Sequence, residues 1–271
     1  MLNRETLLIE SMTISYTIRR VSSDNLPVVF VHGLGSAASD YAGAFKHPGL
    51  SDRILLAPDL IGCGNSEKPE NFSYDLQTQA AVLATLLTRL EFRQIDLVAH
   101  SMGGVVGILF TLANPERVRR LVVAEPNLIL ENARISQKIC GYGTEEKFSQ
   151  HFGEFINKFL KPENPASMRF YNTLSRTTPV ALFRSARSLL HYAQSSLYQD
   201  FLNLPVPRNY LKGADSWQVA GDAMLEDFSR HGIGYHVIPG AGHGMMGDNP
   251  KAFYQELLSI LSQPGETMNS A

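Results

Sequence analysis

Two kinds of apolar pattern alternate along the chain, and together they set the expected fold. Between residues 7 and 19, Leu8, Met12, Ile14, Tyr16 and Ile18 interleave with Ile9, Ser11, Thr13 and Ser15. That is the period of two expected of antiparallel strands with one buried face. Pro27-Val-Val-Phe-Val-His-Gly is different, a short unbroken apolar run closed by glycine, as a strand covered on both faces of a parallel sheet requires. The same form recurs at Arg53-Ile-Leu-Leu-Ala-Pro-Asp, Ile95-Asp-Leu-Val-Ala-His, Val118-Arg-Arg-Leu-Val-Val-Ala-Glu, residues 206–212 and Gly234-Tyr-His-Val-Ile-Pro. Residues 75–90 and 103–113 instead repeat Leu, Val and Ala at helical spacing. Strand and helix therefore take turns, which predicts an α/β fold: a mostly parallel central sheet with helices on both faces, because parallel strands need crossover connections.

The rhythm breaks between residues 126 and 203. No buried-strand run occurs there, and apolar-periodic segments carry Phe148, Phe152, Phe155, Phe159, Phe170, Tyr171 and Tyr192. The expectation is an all-helical cap inserted into a core formed by residues 1–125 and 204–271. The polar stretch 263–271 is expected to fray.

Composition narrows the partners. At 271 residues, 44% hydrophobic and with a net charge of -2, the chain can bury a large core but has no basic excess to neutralise phosphates. A nucleic-acid partner is not expected. Cys63 and Cys140 are the two cysteines, too few for a disulfide framework and without metal-ligand spacing. Residues 1–6 lack the apolar stretch of a signal peptide, and no run reaches the ~20 apolar residues of a membrane span. A cytoplasmic protein is the expectation, with no metal and no cofactor. Nothing in the sequence specifies an oligomeric state.

Three loops carry candidate chemistry. In Leu97-Val-Ala-His-Ser101-Met-Gly-Gly104 a buried strand meets a serine flanked by small residues and then enters a helix. A strained strand-to-helix turn can project a hydroxyl only where the residues two before and two after are small. Here they are Ala99 and Gly103, and Ala99 departs from the usual glycine. The second loop, His32-Gly33-Leu34-Gly35, ends a buried strand and can aim backbone N–H groups at a developing oxyanion. Leu34 and Met102 are the expected donors, and His32 is read as structural. The third, Pro239-Gly-Ala-Gly-His243-Gly-Met-Met, places a glycine-flanked histidine after the last strand, suited to take the serine proton.

Taken in order, these loops, together with Pro58-Asp-Leu-Ile-Gly-Cys-Gly-Asn-Ser66 and Asn114-Pro-Glu-Arg-Val, resemble the α/β-hydrolase-fold superfamily over nearly the whole chain. The resemblance implies a Ser, acid and His triad, an oxyanion hole at the His-Gly loop and a variable helical cap. It leaves two places for the acid. Glu125 ends one strand, while Asp215 lies near the end of the strand preceding the histidine. The usual second-site pattern, G-x-x-D, has Ser216 in its acid place, with Asp215 one residue early. Glu125-Pro-Asn-Leu and Asn132-Ala-Arg-Ile-Ser also resemble a subgroup in which the Glu position is the better acid. Glu125 is therefore preferred and Asp215 is the alternative. Asp59 and Ser66 are read as loop-shaping, Asp96 as a strand start, Glu226 as a helix-surface residue, Asp248 as a helix cap and Met245-Met246 as pocket or core.

The expected function is serine-dependent hydrolysis of a carboxylic ester, on a small molecule with an apolar acyl or aryl group. Within serine chemistry a C–C bond, lactone, amide or peptide hydrolase remains open. Outside it, a non-catalytic small-ligand receptor on the same fold is the alternative, since fold alone does not determine function.

Overall fold

The computed structural model describes residues 3–263. Its centre is one sheet of eight strands, β1 (Asn3–Ile9), β2 (Met12–Arg19), β3 (Val28–Val31), β4 (Leu55–Pro58), β5 (Ile95–His100), β6 (Val118–Ala124), β7 (Arg208–Gly213) and β8 (Gly234–Ile238). Their order is β1-β2-β4-β3-β5-β6-β7-β8. The pairs β1/β2 and β2/β4 are antiparallel, and from β4 to β8 the strands run parallel.

The unbroken apolar runs are explained by two cores, one on each face. Val29, Val31, Leu97, Ala99, Leu121 and Val123 face one core, which also takes Leu83 and Leu87 of α1 (Leu76–Arg89) and Val105 and Ile108 of α2 (Met102–Ala113). Val28, Phe30, Val98, Val122 and Ala124 face the other, closed by Phe253, Leu257 and Ile260 of the C-terminal helix (Pro250–Ser262). Alternate side chains of one strand thus serve opposite layers, so neither face has room for a polar residue. Ser15, Arg120 and Asn209 are buried exceptions, and so is Asp96. It is fully buried and is held by Arg119, whose Nε donates to its Oδ1 at 2.7 Å, with Arg53 3.5 Å away.

The opening hairpin departs from its predicted alternation at Leu8 and Ile9, which exchange faces, and at Ser15, which is buried. Ile9 pairs with Met12 across a two-residue turn, and Glu10 in that turn has a positive φ of 54°. Ile9 and Met12 both point inward, which leaves Leu8 on the outer face, 62% exposed. The alternation changes phase at the turn.

Six helices and no strand lie between β6 and β7: α3 (Arg134–Cys140), α4 (Glu145–Gln150), α5 (Phe152–Asn157), α6 (Pro165–Leu174), α7 (Pro179–Ala193) and α8 (Leu197–Leu202). They build a small apolar cluster of their own from Ile139, Phe148, Phe155, Leu174, Leu182 and Phe183. After β7 come α9 (Asp222–Arg230), the short α10 (Met245–Asp248) and the C-terminal helix, α11. Asn249, not Asp248, caps α11. Its side chain accepts the Ala252 N–H at 3.2 Å and Pro250 follows at the first helical position, where a missing N–H costs nothing. Among the described residues no helix is long and apolar enough to cross a membrane. Most of the tail expected to fray, residues 264–271, lies outside the described residues.

Candidate active site

Parallel strands bring their C-terminal ends to one edge, where ligands of open α/β sheets bind. At that edge β3 delivers His32 to Gly35, β5 delivers Ser101, β6 delivers Glu125, β7 delivers Gly213 to Ser216, and the loop after β8 delivers His243. Two of these residues are conformationally strained. Ser101 has φ 54° and ψ -123°, and Glu125 has φ 45°. Such non-glycine conformations cost about 1–3 kcal/mol and persist where the surroundings enforce them.

The surroundings of Ser101 are visible in the glycines around it. A Cβ on Gly103 would lie 2.3 Å from the His32 carbonyl oxygen and 2.6 Å from that of Val31. One on Gly33 would come within 3.1 Å of the Ser101 Cβ. The start of α2 is thus pressed against the end of β3, which brings the Met102 amide and the Leu34 loop to the serine. First-turn helix N–H groups have no acceptor within their own helix. Gly103→Ala is expected to destabilise the chain by about 1–3 kcal/mol through overpacking. Thermal melting of the variant checks this, and an unchanged midpoint would refute it.

Glu125 and His243 meet. The Nδ1–H of His243 donates to Glu125 Oε2 at 2.6 Å. The carboxylate is wholly buried and also accepts the Ser216 hydroxyl at 2.6 Å and the Gly213 N–H at 2.9 Å, with Lys212 Nζ 3.5 Å away. Burial alone would raise the Glu125 carboxyl. The hydrogen bonds from His243, Ser216 and Gly213, with the charge His243 can carry, outweigh it and hold the group below the ordinary glutamate range. Asp215 is exposed at its loop, where its N–H donates to the Ala241 carbonyl at 2.9 Å. The structure thus brings Glu125, and not Asp215, to the histidine.

His100, just before the serine, donates from Nε2 to the His243 carbonyl at 2.9 Å, with ring centroids 4.6 Å apart. Burial and the neighbouring His243 push its pKa well below the ordinary histidine value. On the other side, Trp217 lies 5.5 Å from the His243 ring and carries the Arg134 guanidinium 5.0 Å above it. The Ser101 hydroxyl donates to Asn127 Oδ1 at 3.1 Å. Asn127 turns that oxygen to the serine because its amide nitrogen donates to the Asn132 carbonyl. None of these partners was assigned a role from sequence, although Asn127, Asn132 and Ser216 all stand in the segments that weighed the acid. His32 is fully buried, its Nε2 accepting from the Leu60 N–H at 3.0 Å and its Nδ1–H donating to the Gly33 carbonyl at 2.9 Å. Asp59 accepts from the Ala38 N–H at 2.7 Å and the Asn65 N–H at 2.9 Å, and Ser66 donates to the Asp59 carbonyl at 2.5 Å.

Ser101 and His243 open into a cavity of about 680 Å³. Of the aromatics in the helical segment, Phe159 and Phe170 line it, along with Leu34, Ile135, Leu189 and Met246. Phe148 and Phe155 are spent on the helices' own cluster, and Tyr192 reaches Asp75 instead. Leu34 packs against both that cluster and the sheet's core.

A model described as the alpha/beta hydrolase family matches residues 28–256. The chain belongs to the alpha/beta hydrolase family. Among relatives of this chain, a 2-hydroxy-6-oxo-2,4-heptadienoate hydrolase of Pseudomonas putida is 39% identical over 99 residues, 36% of either chain. A haloalkane dehalogenase of Agrobacterium fabrum is 31% identical over 160 residues, 54% of this chain and 52% of that one. These matches therefore span between about a third and a half of the relatives' own lengths. The fold extends further. A solved hydrolase structure from Pseudomonas aeruginosa superposes with a TM-score of 0.77 at 22% identity, covering 96% of this chain and 99% of that one.

Proposed function

We propose that this alpha/beta hydrolase cleaves carboxylic esters through Ser101, His243 and Glu125, with residues 126–203 acting as the cap. The observation that supports this reading most is a serine on a strained turn in the same cavity as a histidine whose second ring nitrogen is held by a buried carboxylate. Ser101 Oγ rotates from Asn127 towards His243, attacks the acyl carbonyl and gives its proton to Nε2. The Leu34 and Met102 amides take the tetrahedral oxyanion. Collapse expels the alcohol, which receives the same proton. Water then attacks the acyl-serine, losing a proton to His243, and the acid leaves with Ser101 restored. Glu125 keeps Nδ1 protonated and stabilises the imidazolium in both halves.

A serine also argues against halide displacement, because attack on an alkyl halide would leave an ether that water does not cleave. C–C bond hydrolysis is the second reading, favoured by the similarity to the heptadienoate hydrolase. The test is a short-chain nitrophenyl ester assay beside labelling with a fluorophosphonate. The expected result is turnover that stops as one phosphonate adds to Ser101. Labelling without ester turnover would favour the C–C reading. Neither labelling nor turnover, with ligand binding intact, would overturn the enzyme reading in favour of a receptor.

A further inference from the structure

Three charged side chains line the cavity, apart from its histidines: Asp40, Arg169 and Asp248. They meet where three elements join. Asp40 sits on the 3-10 turn Ala38–Tyr41 that continues the Leu34 loop, and this turn packs against α10, which ends in Asp248. Arg169 reaches over from α6. Its guanidinium lies against Gly247, where a Cβ would come within 2.7 Å of Nε.

The two members nearest α10 satisfy each other. Arg169 Nη2 donates to Asp248 Oδ1, and Asp248 Oδ2 accepts the Gly242 N–H at 3.1 Å. The pair therefore neutralises itself and at the same time ties α6 to the His243 loop. Asp40 is left as the excess charge of the wall. Burial raises its carboxyl above the ordinary range, opposed by a hydrogen bond from Ser36 and by the charge of Arg169. A carboxylate already short of water gains most from a donor supplied by a ligand and loses most from a second anion beside it. Ser36, Ser39, Asn164 and Asn172 line the same cavity, so part of its wall is polar, whereas Phe159, Phe170 and Leu189 are apolar.

Resting on the serine-hydrolase reading above, we propose that Asp40 sets specificity: it selects substrates that carry a hydrogen-bond donor, a hydroxyl, amide N–H or ammonium, on the group lodged between the 3-10 turn and α6, and it excludes substrates with a carboxylate there. This separates the chain from an enzyme of anionic dienoates despite the sequence likeness.

The test compares nitrophenyl esters of hexanoic, 6-hydroxyhexanoic, 6-aminohexanoic and adipic acids on the wild type and on Asp40→Asn, which keeps the side-chain shape. In the wild type, kcat/KM for the amino and hydroxy esters should exceed that for the adipate half-ester at least tenfold. In Asp40→Asn this ratio should collapse towards one, chiefly through KM. Equal use of the adipate half-ester by the wild type, or a ratio unmoved by Asp40→Asn, would overturn the proposal. Should Asp40→Asn fail to fold, Asp40→Ser supplies the same ratio. Plain hexanoate tests the parent reading separately. If it is not turned over, thermal shifts of the wild type with 6-aminohexanamide and with the adipic acid monoamide still decide on Asp40: stabilisation by the first alone supports the selection, and stabilisation by the second overturns it.

Discussion

Ser101→Gly is expected to remove ester turnover and at the same time to raise the melting midpoint. The first effect follows from losing the nucleophile of a unit that acts together, a loss of about 10⁴–10⁶-fold in kcat in such sites. The second follows from the backbone. At φ 54° and ψ -123° a side chain is strained and glycine is not. Relief of about 1–3 kcal/mol is offset in part by the greater freedom of glycine in the unfolded chain. A net gain of about 1 kcal/mol raises the midpoint by about 2–4 °C in a chain of this size. Ser101→Ala is the control, since it removes the same hydroxyl but keeps a Cβ in the strained conformation. Calorimetry on the two variants separates the effects. A glycine variant no more stable than the alanine one would mean that the turn is not strained, and residual turnover near wild type would mean that Ser101 is not the nucleophile.

Glu125→Gln should lower kcat by about 10³–10⁴-fold, because an amide can favour the wrong imidazole tautomer and no longer stabilises the imidazolium. Asp215→Asn should change it by less than about twofold, as expected of an exposed residue on the loop. Steady-state kinetics of both variants at neutral pH decide the assignment, and the reverse order would overturn it. Acid stability gives a second reading. The folded chain holds the Glu125 carboxyl below its ordinary range, so the unfolded chain binds the proton more readily. The stability this group contributes is present above the ordinary glutamate range and is lost as the pH falls through it. Glu125→Gln should flatten that part of the acid limb. Ser216, in the place where the G-x-x-D pattern puts an acid, donates its hydroxyl to Glu125 at 2.6 Å, so the position still serves the carboxylate.

The parallel strands were legible as short unbroken apolar runs, and β1 and β2 as an alternation with one buried face. Leu8 was misplaced because a two-residue turn shifts the alternation, and the shift depends on the conformation at Glu10. The order of the Ser101 and His243 loops could be read from the chain, since the topology carries each loop to the same edge. The acid could not be decided on spacing alone. Glu125 and Asp215 follow adjacent strands, Ala124 pairing with Leu211, and only the aim of the side chains separates them. Asn127, Ser216 and Trp217 were given no role because their contacts join segments distant in sequence. The aromatics of the helical segment share one composition but divide between its own cluster and the cavity wall, a division set by how the helices pack.

Leu34 belongs to two neighbourhoods at once, packing against both the sheet's core and the cluster of the helical segment, and it lines the cavity that holds Ser101. Entry and chemistry consequently share a component. Leu174 and Leu182 of that cluster lie beside Gly35, the next residue of the loop, so a substitution at either reaches the site by loosening one side of that clasp. In the proposed reaction, selection acting on what the cavity admits therefore also adjusts how well the developing charge is held. The two properties are inherited together.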